Sequence, residues 1–306
     1  MKRSELVDPK AIARLMRAQV HSRLPMSGNM SGQHKSPHKG SSVEFAEYRK
    51  YVPGDDVRLL DWRVYARTDR FYLKEFEADT NLRAWFVVDC SASMGYNSRE
   101  GQGLSWESHG FSKLNYARRM AATLAYMLVQ QGDAVGLTCF AEKTFLDIPA
   151  RRNAAHLGNI FDGLGKLEPK GETALVPALH ALAERIPQRG LVLMFSDFFT
   201  PVEQLLPCFQ HLRFRKHDLA VFHLLDRAEL KFDFTHPTRF VDLENQSTLL
   251  AEPEIIRALY FDELNRYLDR LKSGCREFKT EYRRVVTDED YEKVVSQFLA
   301  ERARKK

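Results

Sequence analysis

The feature that most constrains the fold is an alternation of apolar runs and helical patterns through the middle of the chain. Residues 84–89, 134–140, 190–196 and 219–225 are short runs of almost entirely apolar side chains, as in strands buried on both faces. Between them lie segments with helical spacing, the clearest at 112–131. Strands separated by helices require right-handed crossovers. The sequence therefore predicts an α/β fold: a doubly wound, mostly parallel, Rossmann-type sheet flanked by helices.

The sequence before and after this pattern predicts further segments on each side of the sheet domain. We predict an N-terminal helix within 1–26, a linker or loop at 27–42 and an aromatic, charged extension at 43–80 that packs on the core. The sheet domain is expected over 81–245. The amphipathic patterns of 246–306 predict C-terminal helices. The prediction is thus one sheet domain with a further segment at each end.

Composition limits the location and the partners. The four cysteines lie far apart with no CxxC pair, which favours reduced thiols in the cytoplasm over disulfides or a zinc site. No apolar stretch approaches the ~20 residues of a membrane-spanning helix, and the N-terminus lacks a signal-peptide core. The formal net charge of +5 is small, and the basic residues alternate with acids. We therefore expect a cytoplasmic protein that binds neither nucleic acid nor a membrane.

Oxygen-bearing side chains occur in three loops that should meet at one edge of the sheet. Asp89, Ser91 and Ser93 follow the first core strand, Thr173 precedes a helix in a Gly-Glu-Thr loop, and Asp197 follows a later core strand. Ligands of doubly wound sheets bind at the carboxyl ends of the strands. Carboxylate and hydroxyl oxygens are hard ligands that suit Mg2+ or Mn2+. The alternative is local structure, because Asp and Ser are common in turns and Thr173 and Asp197 could be helix N-caps.

The order of these residues resembles the metal-ion-dependent adhesion site of von Willebrand factor A domains. The resemblance implies a von Willebrand factor A-like fold with Asp89, Ser91, Ser93, Thr173 and Asp197 as the metal ligands. It also implies a protein partner whose carboxylate completes the coordination of the ion. One departure is the last loop, which has Ser-Asp-Phe-Phe where many relatives have Asp-Gly, so the likeness there extends to the aspartate alone.

The segment before the sheet carries a more specific resemblance. It is similar to the signature of a bacterial family catalogued as domain of unknown function 58, which joins such a block to a von Willebrand factor A-like domain. The resemblance covers the chain from about residue 40 to the C-terminus. Members are often encoded beside MoxR-type AAA+ ATPases, which implies such an ATPase as a partner. The matching residues are Glu44, Tyr48, Gly54, Asp55, Asp56, Arg58, Asp61, Trp62, Ala66, Arg67 and Glu75.

The aspartates and arginines of this block alternate along the chain. Such alternation favours ion pairs that fix the segment to the sheet domain, and the alternative is a charged recognition surface for a partner.

No catalytic motif accompanies the predicted metal site. The sequence has no GxSxG elbow, no GxxxxGKS phosphate loop and no HExxH helix, and no histidine context makes Ser91 or Ser93 a nucleophile. We therefore predict a metal-dependent protein–protein interaction module, an adaptor or co-chaperone for the ATPase, and not an enzyme. The alternatives are a metal-assisted phosphoesterase and a scaffold with a vestigial metal site.

Overall fold

A computed structural model of the protein describes residues 3–15, 18–22, 44–52, 60–77, 82–98 and 112–304. The chain divides into two compact units, Leu24–Leu82 and the remainder, Met1–Arg23 with Arg83–Lys306. The described helices and strands are, in chain order, α1 (Arg3–Leu6), α2 (Pro9–Leu15), β1 (Glu44–Lys50), α3 (Trp62–Thr68), β2 (Tyr72–Glu77), β3 (Arg83–Asp89), α4 (Lys113–Gln130), β4 (Ala134–Phe140), β5 (Thr144–Arg151), α5 (Ala154–Gly165), α6 (Leu175–Arg185), β6 (Leu191–Ser196), α7 (Val202–Phe214), β7 (Asp218–Leu225), α8 (Arg227–Lys231), β8 (Thr238–Val241), β9 (Thr248–Ala251), α9 (Pro253–Glu277), β10 (Glu281–Val286) and α10 (Tyr291–Arg304).

The described residues of the smaller unit form a short antiparallel sheet and one helix. Strands β1 and β2 pair with a register shift between Phe45 and Glu47. Helix α3 begins after Asp61, whose side chain accepts hydrogen bonds from two backbone N–H groups of the first turn, as an N-cap does. The predicted packing of segment 43–80 on the sheet domain stays a prediction. The signature residues Gly54, Asp55, Asp56 and Arg58, and the predicted linker at 27–42, lie outside the described residues.

The larger unit is built on a six-stranded sheet with the order β10-β7-β6-β3-β4-β5. Neighbouring strands are parallel except for β4 and β5, which are antiparallel. Every side chain of β4, β6 and β7 is buried, whereas β5 at the edge alternates between half-buried and exposed positions. Helices cover the sheet, and this burial on both faces is why the apolar runs are continuous. The predicted α/β class, with a mostly parallel sheet flanked by helices, is confirmed.

Two helical layers enclose the core of the sheet. Helix α4 begins after Ser112, whose hydroxyl oxygen accepts the backbone N–H of Asn115, and it ends before Gly132, where φ is +82°. Only glycine adopts such a backbone angle without strain. On another side, α6 and α7 pack against the sheet through an apolar cluster that includes Trp85, Leu182 and Phe209. In the described part of the chain, no helix combines the length and apolar character needed to cross a membrane.

The C-terminal region differs from the prediction in one respect. The expected C-terminal helices are present as α9 and α10, but between them β10 joins the edge of the central sheet in parallel with β7. Strands β8 and β9 also form a separate antiparallel hairpin before and after residue 245. Segment 246–306 is therefore not composed of helices alone. The sequence does not predict this edge strand because the strand contains a buried charged residue, Glu281. Its carboxylate is paired with Arg302 of α10 at 3.0 Å.

Candidate metal site

The carboxyl ends of two neighbouring parallel strands place the two predicted aspartates close to each other. Strands β3 and β6 are adjacent, with Val88 opposite Phe195, so Asp89 and Asp197 follow at the same edge of the sheet. The Thr173 loop is attached to the same place by backbone hydrogen bonds. The N–H of Ala92 donates to the carbonyl of Gly171, and the N–H of Lys170 donates to that of Cys90, both at 2.9 Å.

Three hydroxyl-bearing residues converge on Asp89, which is buried. The Asp89 Oδ2 atom accepts hydrogen bonds from the Ser196 hydroxyl at 2.6 Å and from the Thr173 hydroxyl at 3.4 Å. Its Oδ1 atom accepts the backbone N–H of Ser91 at 2.9 Å, and the Ser91 and Ser93 hydroxyl oxygens lie 3.2 Å apart. The structure thus brings together Asp89, Ser91, Ser93 and Thr173, as the sequence predicts, and adds Ser196.

Asp197 is engaged differently, because a buried lysine contacts it. The Lys113 ammonium donates to Asp197 Oδ2 at 2.7 Å and to Glu229 Oε1 at 2.8 Å, and no part of the lysine side chain is exposed. Burial alone lowers the pKa of Lys113, but the charges of Asp197 and Glu229 outweigh this and raise the pKa above its ordinary value. The lysine therefore remains a cation. Neither Lys113 nor Glu229 was predicted, since nothing in their local sequence distinguishes them from surface residues.

The charges near Asp89 do not stabilise its ionised form. Burial and the charge of Asp197 raise the pKa of Asp89 to about 7, although hydrogen bonds from Ser196 and Ser91 oppose the shift. Two carboxylates in one buried site repel each other, and an additional cation beside them favours their charged forms. A divalent ion at Asp89 would therefore lower its pKa again.

Glu244, in the turn of the β8–β9 hairpin, reaches the same site. Its Oε2 atom accepts the backbone N–H of Thr173 at 3.1 Å, and its Oε1 atom is buried with no hydrogen-bond partner among the described residues. A buried carboxylate oxygen without a donor is unfavourable, and a cation beside it would remove this cost. The orphaned oxygen, the pKa of Asp89 and the hydroxyl oxygens together fit a hard divalent ion.

The donor set also indicates which ions do not fit. Within the described ranges, no group of three or more His, Cys, Asp or Glu side chains has the arrangement of a metal site. The candidate site would instead use two aspartates and three hydroxyl groups. Oxygen-only ligands favour Mg2+ or Mn2+ over zinc or copper.

A cavity of about 750 Å³ adjoins the candidate site, and Ser93 and Glu244 are among its lining residues. Aromatic side chains form part of its wall, where Phe232 and Tyr260 stack with their ring centroids 4.5 Å apart. Other aromatic lining residues are Tyr96, Phe199, Phe234 and Phe240. The site is therefore connected to a space that could receive part of another molecule.

Comparison with known proteins places the chain in a family. Residues 47–266 match the family described as protein of unknown function DUF58. The chain belongs to this family. Uncharacterized protein Rv1480 of Mycobacterium tuberculosis and uncharacterized protein Mb1516 of Mycobacterium bovis are each 27% identical to it over 234 residues, which is 76% of this chain and 70% of each relative. The family resemblance that the sequence predicts is thus confirmed, and the metal site stays a prediction.

Two solved structures that are similar to the chain share little of its sequence. Conserved hypothetical protein BatB from Bacteroides thetaiotaomicron is 15% identical and aligns with 73% of this chain and 100% of its own, with a TM-score of 0.49. An aerotolerance-related membrane protein from Bacteroides fragilis is 14% identical over 72% of this chain and 100% of its own, with a TM-score of 0.45. These TM-scores are too low to support a functional argument.

Proposed function

We propose that this protein is a metal-dependent protein–protein interaction module with a von Willebrand factor A-like site, and not an enzyme. One observation carries the proposal: the hydroxyl groups of Ser196, at the end of β6, and of Thr173, in a separate loop, converge on the buried carboxylate of Asp89 at the carboxyl edge of the sheet. The bound ion would be Mg2+ or Mn2+. Its ligands would be Asp89, Ser91, Ser93, Thr173 and Asp197.

The charges around the site favour binding over hydrolysis. Asp197 is already paired with Lys113, so Asp89 is the aspartate whose charge the ion would neutralise directly. An ion held largely by neutral hydroxyl groups keeps much of its positive charge and attracts an acidic group from outside. The ion would supply an electrostatic attachment point for a carboxylate of the partner protein.

The surface near the site supports a protein partner. Leu249 and Leu250 on the hairpin are 60% and 75% exposed, and Ile255 and Leu259 on the first turns of α9 are 73% and 64% exposed. Large apolar side chains exposed near one site are a feature of protein interaction surfaces. We propose a MoxR-type AAA+ ATPase as the partner, with the chain acting as its adaptor or co-chaperone in the cytoplasm. The four cysteines Cys90, Cys139, Cys208 and Cys275 are free and buried, which is compatible with a reducing compartment.

Isothermal titration of Mg2+ and Mn2+ tests the metal site. We expect saturable binding to the wild-type protein and to Asp262→Ala, which removes an exposed aspartate on α9, and no binding to Asp89→Ala. Because an ion that binds only the folded state stabilises it, the melting temperature should rise with metal in the same two proteins. Absence of binding to the wild-type protein would refute the site.

Two further measurements separate the proposal from its alternatives. Capture of the MoxR-type ATPase should require Mg2+ and should be lost in Asp89→Ala. Capture that persists with a chelator would contradict docking through the metal. Release of phosphate from a generic phosphomonoester, lost in Asp89→Ala, would show instead that the site hydrolyses phosphoesters.

A further inference from the structure

We infer that Glu244 is an internal ligand for the predicted ion and occupies the coordination position that a partner's carboxylate would take. The inference rests on the proposed metal site and identifies what fills that site before the partner binds. It starts from the buried, unpartnered carboxylate oxygen of Glu244 at the edge of the candidate site.

The turn of the hairpin holds Glu244 in a defined position. Asp242 Oδ1 accepts the backbone N–H groups of Glu244 at 2.8 Å and of Asn245 at 3.3 Å, and Asn245 Oδ1 accepts the N–H of Ser247 at 2.8 Å. Side-chain bonds of this kind fix the backbone of a turn. Gln246 completes the turn with φ at +61°. The carboxylate is therefore presented by a locally ordered loop.

Thr173 joins this carboxylate to Asp89. The hydroxyl group of Thr173 donates to Asp89, and its backbone N–H donates to Glu244. The two carboxylates thus contact the same residue through different groups. An ion that took the Thr173 hydroxyl as a ligand would lie beside the residue that both carboxylates contact. Because no three acidic side chains of the described residues are already arranged around one point, the Glu244 side chain would have to shift towards the ion when it binds.

A purely structural role for Glu244 does not account for its second oxygen. The contact with Thr173 uses Oε2 alone, and a neutral side chain such as glutamine could make it as well. The nearby ammonium of Lys113 is committed to Asp197 and Glu229. Arg239 also lines the cavity, but among the described residues no ion pair joins it to Glu244. A divalent ion is the counter-charge that the ligand chemistry of the site would accept.

Binding of a partner would then exchange one carboxylate for another. The charge around the ion would not change. The free energy of partner binding would therefore have to offset only the cost of moving the hairpin. The hairpin packs through Phe240, which contacts the rings of Phe232 and Phe234 in the cavity wall. Leu250 on β9 is 75% exposed and would give the partner an apolar contact by which to displace the hairpin. The hairpin would therefore act as a closed cover over the metal site.

Manganese is the probe for this inference, because it is paramagnetic and reports bound water. The variants are Glu244→Gln, which removes the charge but keeps an acceptor for Thr173, and the matched Glu252→Gln, which removes an exposed charge beyond the same hairpin. We expect Glu244→Gln to bind Mn2+ about 10-fold more weakly than wild type by isothermal titration. The water-proton relaxation per bound ion should increase, since water replaces the carboxylate. Glu252→Gln should match wild type in both measurements.

The outcomes separate this inference from the proposed function. If wild type binds Mn2+, Asp89→Ala does not, and Glu244→Gln equals wild type in affinity and relaxation, the metal site stands and Glu244 is only a hairpin anchor. If wild type binds no Mn2+, both the proposed site and the internal ligand are refuted. A cooperative thermal transition of Glu244→Gln without metal, at or above the melting temperature of wild type, confirms that the variant is folded.

Discussion

Lys113 shows how one side chain determines the charge of the site. Its ammonium is fully buried and bridges Asp197, which follows strand β6, and Glu229, which lies in helix α8. Desolvating three charges is costly, and their mutual attraction repays this only while the geometry is kept. The lysine therefore fixes Asp197 in place and leaves Asp89 as the carboxylate with least compensation.

Replacement of Lys113 with methionine should destabilise the protein strongly, because two carboxylates would lose their counter-charge. We expect the free energy of unfolding to fall by about 3–5 kcal/mol, measured by urea denaturation. The matched variant Lys143→Met, at an exposed position, should change it by less than about 0.5 kcal/mol. The double variant Lys113→Met/Glu229→Gln should recover part of the loss. Equal stability of the two lysine variants would contradict this account.

For individual residues of the site, the sequence predicts the side chains that follow the ends of strands. It does not predict those that reach the site only through tertiary contacts. Asp89 and Asp197 lie at one edge of the sheet because neighbouring parallel strands end there, a rule that needs no coordinates. Lys113 lies at the start of an amphipathic helix, where a lysine is ordinarily exposed. Glu244 reaches Thr173 only because a hairpin folds back over the site. No local pattern encodes either contact.

Among the elements, edge strand β10 depends on an ion-pair cluster with helix α10. Arg302 on α10 is buried and pairs with Asp218 of β7 at 2.8 Å and with Glu281 of β10 at 3.0 Å. The central strands were predictable because their side chains are apolar on both faces. Strand β10 was not, because its burial depends on a charge supplied from 21 residues further along the chain.

Removal of this charge should loosen the edge of the sheet. We expect Arg302→Leu to lower the free energy of unfolding by about 3–5 kcal/mol, since buried carboxylates would face an apolar side chain. Amide hydrogen exchange should accelerate in β10 more than in the central strand β3. The control is Arg304→Leu on the exposed side of the same helix. Uniform exchange across the sheet in Arg302→Leu would argue against a local role.

For the molecule as a whole, buried histidines connect stability to pH. His217, between α7 and β7, is 1% exposed, and neither ring nitrogen has a hydrogen-bond partner among the described residues. Burial, together with the charges of Arg215 and Arg189, lowers the pKa of His217 to about 4. His223 is also buried, and its pKa is likewise lowered to about 4. Asp89 acts in the opposite direction, because its pKa is raised to about 7. The pH dependence of the free energy of unfolding is therefore a sum of opposing contributions. A single substitution is needed to isolate one of them.

Replacement of His217 with phenylalanine should remove one contribution to acid sensitivity. Above the ordinary histidine pKa of about 6.5, both the folded and the unfolded states leave the ring neutral. As the pH falls from there towards 4, the unfolded state takes up a proton that the folded state excludes, so the wild-type protein loses stability. Relative to His217→Phe, the free energy of unfolding of wild type should fall by roughly 3 kcal/mol across this window, at about 1.4 kcal/mol per pKa unit. Urea denaturation between pH 7.5 and about 4.5 measures it, with His236→Phe, at an exposed position, as the control. Parallel pH curves for wild type and His217→Phe would mean that the buried ring takes up its proton in the folded state as readily as in the unfolded one.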